Sequence, residues 1–376
     1  MLLMTVACNA QQADIQVGAS QFDKYLAQLK GKRVGLVVNQ TSMVGESHLV
    51  DALLSKQVQV TTIFAPEHGF RGDHDAGAHV NSGVDSKTGL PIVSIYGKNK
   101  QPNLDVMGQV DVVIFDIQDV GVRFYTYISS MHYMMQASAL AGVEFIVLDR
   151  PNPNIAYVDG PILDAQFRSF VGMHPIPVLH GMTVGELAHM IVGEKWLDDG
   201  VAPKLTVVPV ANYARDMAYS LPIKPSPNLP NDQAIGLYPS LCFFEATPVS
   251  IGRGTDFPFQ VLGFDEIALG EFEFSPRSIA GAASNPKLKD KIAKGLDLRQ
   301  SPVRGLDLGW LISAHDKFKQ QDTEFFTSAN FMDKLAGTDE LRKAIEAGKS
   351  EAEIKQTWQT GLEEFIAKRK KYLLYQ

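Results

Sequence analysis

A succession of short, nearly continuous apolar runs separated by amphipathic stretches limits what this chain can fold into. Residues 33–38 (RVGLVV), 58–64 (VQVTTIF), 91–96 (PIVSIY), 110–116 (VDVVIFD) and 143–148 (VEFIVL) read as strands buried on both faces. Between and after them, 20–30, 47–56, 127–141 and 183–196 carry helical periodicity, and Thr183 followed by Glu186 forms a capping-box pattern. Strands alternating with helices predict an α/β fold, a parallel sheet covered by helices. The Pro-rich passage 221–230 (LPIKPSPNLP) can be neither helix nor central strand, so the domain boundary is placed between 225 and 226. Beyond it the pattern loosens, and helices are expected over 332–348 and 350–372.

Composition excludes several classes of protein. With 45% hydrophobic residues the 376-residue chain carries enough apolar mass for a large core and cannot be mainly disordered. A net charge of −7, with a single short basic run at 368–371, gives no footing for nucleic-acid binding. No apolar stretch of transmembrane length occurs in the sequence. The two cysteines, Cys8 and Cys242, are too few for a disulfide framework. Residues 2–7 (LLMTVA) before Cys8 match the end of a lipoprotein signal, without its basic start and with a short apolar run. The expectation is a precursor beginning upstream of Met1, with 1–19 as truncated signal and tether, a membrane tether through lipidated Cys8, and a place in the cell envelope, periplasmic or lipid-anchored.

Function is sought at the strand ends. Asn39, Glu67, Asp116 and Asp149 end or follow four of the five strands, and the carboxyl ends of an open parallel sheet line the crevice where ligands bind. Each alone could start a turn or cap a helix; four together, each in a polar cluster, point to one site. In Ala65-Pro66-Glu67-His68-Gly69-Phe70-Arg71-Gly72, Pro66 stiffens the approach to a carboxylate suited to acid–base work, with a Glu67–Arg71 surface ion pair as the alternative. Asp116, Asp119, Arg123 and Tyr125 leave the fourth strand together, as a site for an anionic or hydroxyl-rich molecule requires; an Asp119–Arg123 pair within a helix start is the plainer alternative. Further on come Asn228 in PSPNLP, Glu245 beside Phe243 and Phe244, and the glycine-flanked Arg253. His68, Asp73, His74, Asp75 and His79 crowd one loop, but no HExxH or similar spacing marks them as ligands, so no metal is assigned. Asn39-Gln40-Thr41-Ser42 stands where a dinucleotide fold needs its glycine-rich turn, and no P-loop or GxSxG elbow occurs. No cofactor is expected.

The segments EHGFRG, DIQDVGVRFYTY, DRPNP, HGMTVGEL, PSPNLP and FFEATPVSIGRGTDFPF, in this order, resemble the bacterial NamZ family of exo-acting β-N-acetylmuramidases, and the likeness runs from about residue 20 to the C-terminus. It implies a Rossmann-like catalytic domain (20–225), a smaller α+β auxiliary domain (226–376) and an active-site cleft between them. The implied activity is hydrolysis of terminal non-reducing N-acetylmuramic acid from peptidoglycan fragments such as the muramyl–glucosaminyl disaccharide. The family's proposed catalytic glutamate matches Glu67, read as the general acid, with Asp116 or Asp119 as the second carboxylate. Asn39, His68, Arg71, Arg123, Tyr125, Asn228, Glu245 and Arg253 are expected to bind substrate, with Arg71, Arg123 or Arg253 on the lactyl carboxylate. Ala246 stands where the family pattern has Gly. The rival readings are a non-catalytic, lipid-anchored binder of cell-wall sugars and a metal-dependent hydrolase built on the His68–His79 loop.

Overall fold

A computed structural model describes residues 14–70 and 82–376. Six parallel strands, β1 (Val34–Val38), β4 (Val60–Ala65), β6 (Pro91–Ser94), β7 (Val112–Asp116), β8 (Glu144–Leu148) and β9 (Leu205–Val208), form one sheet, extended at its edge by antiparallel β5 (Gly83–Val84). The spatial order is β5-β6-β4-β1-β7-β8-β9, and β2 (Met43–Val44) with β3 (Ser47–His48) makes a separate small hairpin. Among the parallel strands the chain first winds outward from β1 through β4 to β6, then returns to the other side of β1 with β7, β8 and β9. This is the Rossmann-like order, with its switch point between β1 and β7.

Side-chain alternation along these strands creates two cores. Leu36, Val38, Ile63, Ile114, Ile146 and Leu148 face one side, packed with Tyr25 and Leu29 of α1 (Phe22–Leu29) and Leu49 and Leu53 of α2 (Leu49–Ser55). Val37, Phe64, Val113, Phe115, Phe145 and Val147 face the other side, together with α3 (Leu104–Met107), α4 (Tyr127–Ala141) and α5 (Val184–Gly193). That second core continues into the C-terminal part through Leu237, Phe243, Phe259, Leu335 and Phe365, so the two parts share apolar packing. The C-terminal part contains α6 (Asp232–Leu241), an antiparallel sheet in the order β10-β12-β11 (Val261–Phe264, Ala293–Asp297, Phe272–Phe274) and five helices: α7 (Gly309–Gln320), α8 (Ala329–Ala336), α9 (Glu340–Glu346), α10 (Glu351–Thr357) and α11 (Gln359–Arg369).

The capping box at the start of α5 forms as the sequence predicts: Thr183 and Glu186 cap each other's backbone N–H. Other elements differ from expectation. The span 332–348 breaks at Gly337, which ends α8 in the left-handed conformation at φ 74°, and 350–372 breaks at Trp358 between α10 and α11. Residues 16–19, read as tether, belong to the folded body: Gln16 pairs with Ala211 through both backbone hydrogen bonds, and the Gly18 N–H donates to Asp149 O. Cys8 and the residues before it lie outside the described residues.

Candidate active site

Loops from both parts of the chain enclose a cavity of about 710 Å³, within the range of small-molecule sites. The sheet part contributes Glu67 and His68 after β4, Phe124–Tyr127 after β7, and Val171. The C-terminal part contributes Tyr238, Glu245, Arg253, Phe259 and the 282–287 loop.

Among the described residues, Glu67 is the carboxylate that the sheet part presents to this cavity. The turn after β4 closes with the Gly69 N–H on Pro66 O, and His68 and Gly69 both adopt positive φ, 67° and 76°. A left-handed histidine is uncommon and marks a turn the surroundings hold in place. The Tyr96 hydroxyl donates to Glu67 Oε1 at 2.9 Å and the Thr126 hydroxyl to Oε2 at 2.8 Å. Thr126 is the N-cap residue of α4, yet its side chain makes no capping bond. Its hydroxyl holds Glu67 instead.

Aromatic rings line the remainder of this wall. Tyr125 meets Tyr127 edge-on at 5.1 Å and Tyr238 at 5.9 Å, and Tyr238 meets Phe259 at 5.1 Å. Tyr125 also donates to Pro225 O at 2.7 Å, and Gln40 donates to the same oxygen at 3.0 Å, so the Pro-rich passage is pinned beside the cavity.

The lining supplied by the C-terminal part is ionic. A 3₁₀ turn at Cys242–Ala246 follows α6 and presents Glu245, whose Oε1 accepts from Arg253 Nε at 2.6 Å. Gly252 and Gly254, both at φ 82°, flank Arg253; a Cβ at Gly254 would stand 2.4 Å from Arg277 O, so only glycine fits there. The Lys287 ammonium donates to the carbonyls of Phe244, Glu245 and Thr247 at 2.9, 3.0 and 2.6 Å. Burial acts to raise the Glu245 pKa, but the charges of Arg253 and Lys287 outweigh it and hold the carboxyl below its ordinary value. Glu245 is thereby ionised through the neutral range. Ala246, where the family pattern has Gly, is fully buried in the 3₁₀ turn.

Several residues expected at the site lie elsewhere. Asp116 is fully buried and bound through both oxygens by Arg150, at 2.6 and 2.9 Å, and is not among the residues lining the cavity. A carboxylate so engaged is a structural ion pair rather than the second catalytic group. Asp119 also lies off the cavity: Oδ2 accepts from the Gly121 N–H at 2.7 Å, and Oδ1 has no partner among the described residues. Burial pushes the Asp119 carboxyl up to about 7.

Arg123 is fully buried and donates to four carbonyl oxygens, those of Pro161, Ile176, Leu335 and Ala336, at 2.6–3.0 Å. It ties the sheet part to the end of α8 and does not face the cavity. Asn39 is fully buried beside the switch point, where its Oδ1 accepts from Thr41 N and Oγ1. Asn228 donates to Ala282 O at 2.8 Å and so positions the 282–287 loop from outside the lining. Asp149 accepts from the Thr183 hydroxyl, the Gly185 N–H and the Tyr375 hydroxyl, anchoring α5 and the C-terminus. Arg71 and the histidines at 74 and 79 lie outside the described residues. Of the expected site residues, Glu67, His68, Tyr125, Glu245 and Arg253 are brought together; Lys287, Tyr96 and Thr126 complete the arrangement, and sequence reasoning had not assigned them to it.

A carboxylate held by two hydroxyls, sharing an aromatic-lined hollow with an ionised carboxylate and a guanidinium, suits acid-assisted cleavage of a polar, anionic sugar. Comparison with known proteins agrees. The N-terminal family model of exo-β-N-acetylmuramidase NamZ matches residues 34–233 and the C-terminal model matches 236–375. The chain is 38% identical to the peptidoglycan β-N-acetylmuramidase NamZ of Bacillus subtilis (strain 168), over 98% of this chain and 93% of that protein. Two crystal structures of DUF1343 family proteins from Bacteroides fragilis NCTC 9343 share the fold: one at 47% identity and a TM-score of 0.88, covering 97% of this chain and 99% of that one, the other at 28% and 0.84, covering 96% and 99%. This chain belongs to the NamZ family of exo-β-N-acetylmuramidases.

Proposed function

We infer that this chain is an exo-β-N-acetylmuramidase, a glycoside hydrolase that removes terminal N-acetylmuramic acid from the non-reducing end of peptidoglycan fragments. One observation carries the residue assignment: among the described residues that line the shared cavity, Glu67 and Glu245 are the two carboxylates, one from each part of the chain. Glycoside hydrolysis ordinarily divides its work between two such groups.

Glu67 protonates the glycosidic oxygen as the bond to the aglycone breaks. The Tyr96 and Thr126 hydroxyls fix its carboxyl and support the carboxylate left after proton transfer. Glu245, kept ionised by Arg253 and Lys287, stabilises the positive charge that builds at the anomeric carbon; a water then adds to that carbon and releases its proton to solvent, from which Glu67 is reprotonated. Tyr125 and Tyr238 supply apolar surface to the sugar's side of the cavity, and His68 lies next to the acid.

The substrate proposed is a small muramyl saccharide, with the muramyl–glucosaminyl disaccharide as the simplest case. The grammar of residues 2–8 supports a place in the cell envelope, with Cys8 as a lipid anchor; radiolabelled palmitate incorporation into the precursor, abolished by Cys8→Ser, tests that. The activity itself is tested by incubating the purified chain with the disaccharide and separating the products. Equimolar N-acetylmuramic acid and N-acetylglucosamine are expected. An intact disaccharide, bound or unbound, would leave the sugar-binding alternative.

A further inference from the structure

We infer that Arg253 reads the lactyl carboxylate of muramic acid and so sets the preference for muramic acid over glucosamine. The inference rests on the muramidase reading of the cavity and adds to it the group that recognises the sugar. The two sugars differ by the lactyl ether on O3, which ends in a carboxylate, so discrimination requires a cation with unused donors inside the site.

Among the described residues the candidate cations separate on geometry; Arg71 lies outside them. Arg123 is fully buried, with its guanidinium engaged by four backbone carbonyls. Arg150 is bidentate to Asp116. Lys287 lines the cavity, but three carbonyls take its three N–H bonds, so it contributes charge without a free donor.

Arg253 is arranged differently. Its Nε donates to Glu245 at 2.6 Å, and its guanidinium lies over the Phe259 ring at 5.0 Å. Among the described residues no hydrogen bond engages its two terminal nitrogens. The guanidinium is thus fixed on one edge and one face, with its other edge unspent on the cavity wall. A planar fork of this kind matches a carboxylate with two parallel N–H···O bonds. Glu245 acts here as a positioning residue for Arg253, besides its electrostatic part in the reaction.

The test is a ligand-by-variant cycle measured by titration calorimetry. Wild type, Arg253→Gln and Arg253→Lys are each titrated with N-acetylmuramic acid, with its lactyl methyl ester and with N-acetylglucosamine. Wild type is expected to bind the acid at least tenfold more tightly than the ester. Arg253→Gln is expected to bind acid and ester alike, and Arg253→Lys to keep part of the preference. Equal binding of acid and ester by wild type would overturn the inference without reference to any variant; so would Arg253→Gln retaining the full preference. If wild type shows no acid preference yet releases N-acetylmuramic acid from the disaccharide, only this inference falls. If it neither binds nor releases that sugar, the muramidase reading falls with it.

Discussion

Replacing Arg123 with methionine separates a structural strut from a substrate contact. The motif that carries Arg123 invites a substrate role, whereas the structure spends its guanidinium on the carbonyls of Pro161, Ile176, Leu335 and Ala336. Methionine fills much of the same volume but leaves four buried oxygens without donors, at about 1 kcal/mol or more each. Part of that loss is returned, because burying the guanidinium is itself unfavourable: burial pulls its pKa down to about 9. The net cost is about 3–5 kcal/mol, the range seen when one side of a buried charged network is removed. For a chain of 376 residues, unfolding entropy of roughly 2 cal/mol/K per residue converts this to a fall in Tm of about 4–6 °C. Differential scanning calorimetry supplies the Tm, and steady-state kinetics at 20 °C, well below it, supply KM. The structure predicts the lower Tm with KM within about twofold of wild type. An unchanged Tm with KM raised tenfold or more would refute the reasoning and return Arg123 to the substrate.

Asp119 makes stability depend on pH. Its folded pKa of about 7 lies above its unfolded value, so its stabilising contribution is complete below about pH 4 and is lost as pH rises through 7. Urea unfolding of wild type and Asp119→Asn across pH 4–8 should show wild type losing on the order of 2–4 kcal/mol relative to the variant, with a flat difference above pH 8; a difference independent of pH would contradict the burial argument. Tyr96→Phe and Thr126→Val each remove one hydroxyl from Glu67. Each should lower kcat by about tenfold while leaving the affinity for product N-acetylmuramic acid unchanged, and weaker product binding with normal kcat would place these hydroxyls on the sugar instead.

The sheet was legible because four of its six parallel strands, β1, β4, β7 and β8, are buried on both faces and leave nearly continuous apolar runs, and the half-buried β6 still carries the β-rich run PIVSIY. The sixth, Leu205–Val208, is a half-buried edge strand that Pro209 cuts short, so it leaves no long apolar run. Helix α6 escaped notice because Gly236 and Pro239 lie inside it, and its existence depends on tertiary packing of Leu237, Tyr238 and Leu241. At the site, Glu67 was recoverable from the stiff Pro-Glu-His-Gly turn at a strand end. Asp116 and Arg123 were misread for a common reason: residue type shows that a side chain is polar, but not whether it faces a ligand, an ion-pair partner or the chain's own carbonyls. Arg150, bidentate on Asp116, comes from the next strand end, and only the register of β7 against β8 brings them together. Lys287 lies in the loop between β11 and β12 with no motif around it, and its place behind Glu245 follows from three backbone carbonyls that sequence cannot align.

The most direct measurement of the account is turnover by Glu67→Gln on the muramyl–glucosaminyl disaccharide, alongside a thermal melt of the same sample. Glutamine preserves the size of the side chain; its carbonyl oxygen accepts from one of the Tyr96 and Thr126 hydroxyls and its amide NH2 donates to the other, but it has no acidic proton to give the glycosidic oxygen. A melt close to wild type with kcat/KM lowered by about a thousandfold or more is the predicted result. A folded Glu67→Gln enzyme that releases N-acetylmuramic acid at near wild-type rates would show that the proton comes from another group.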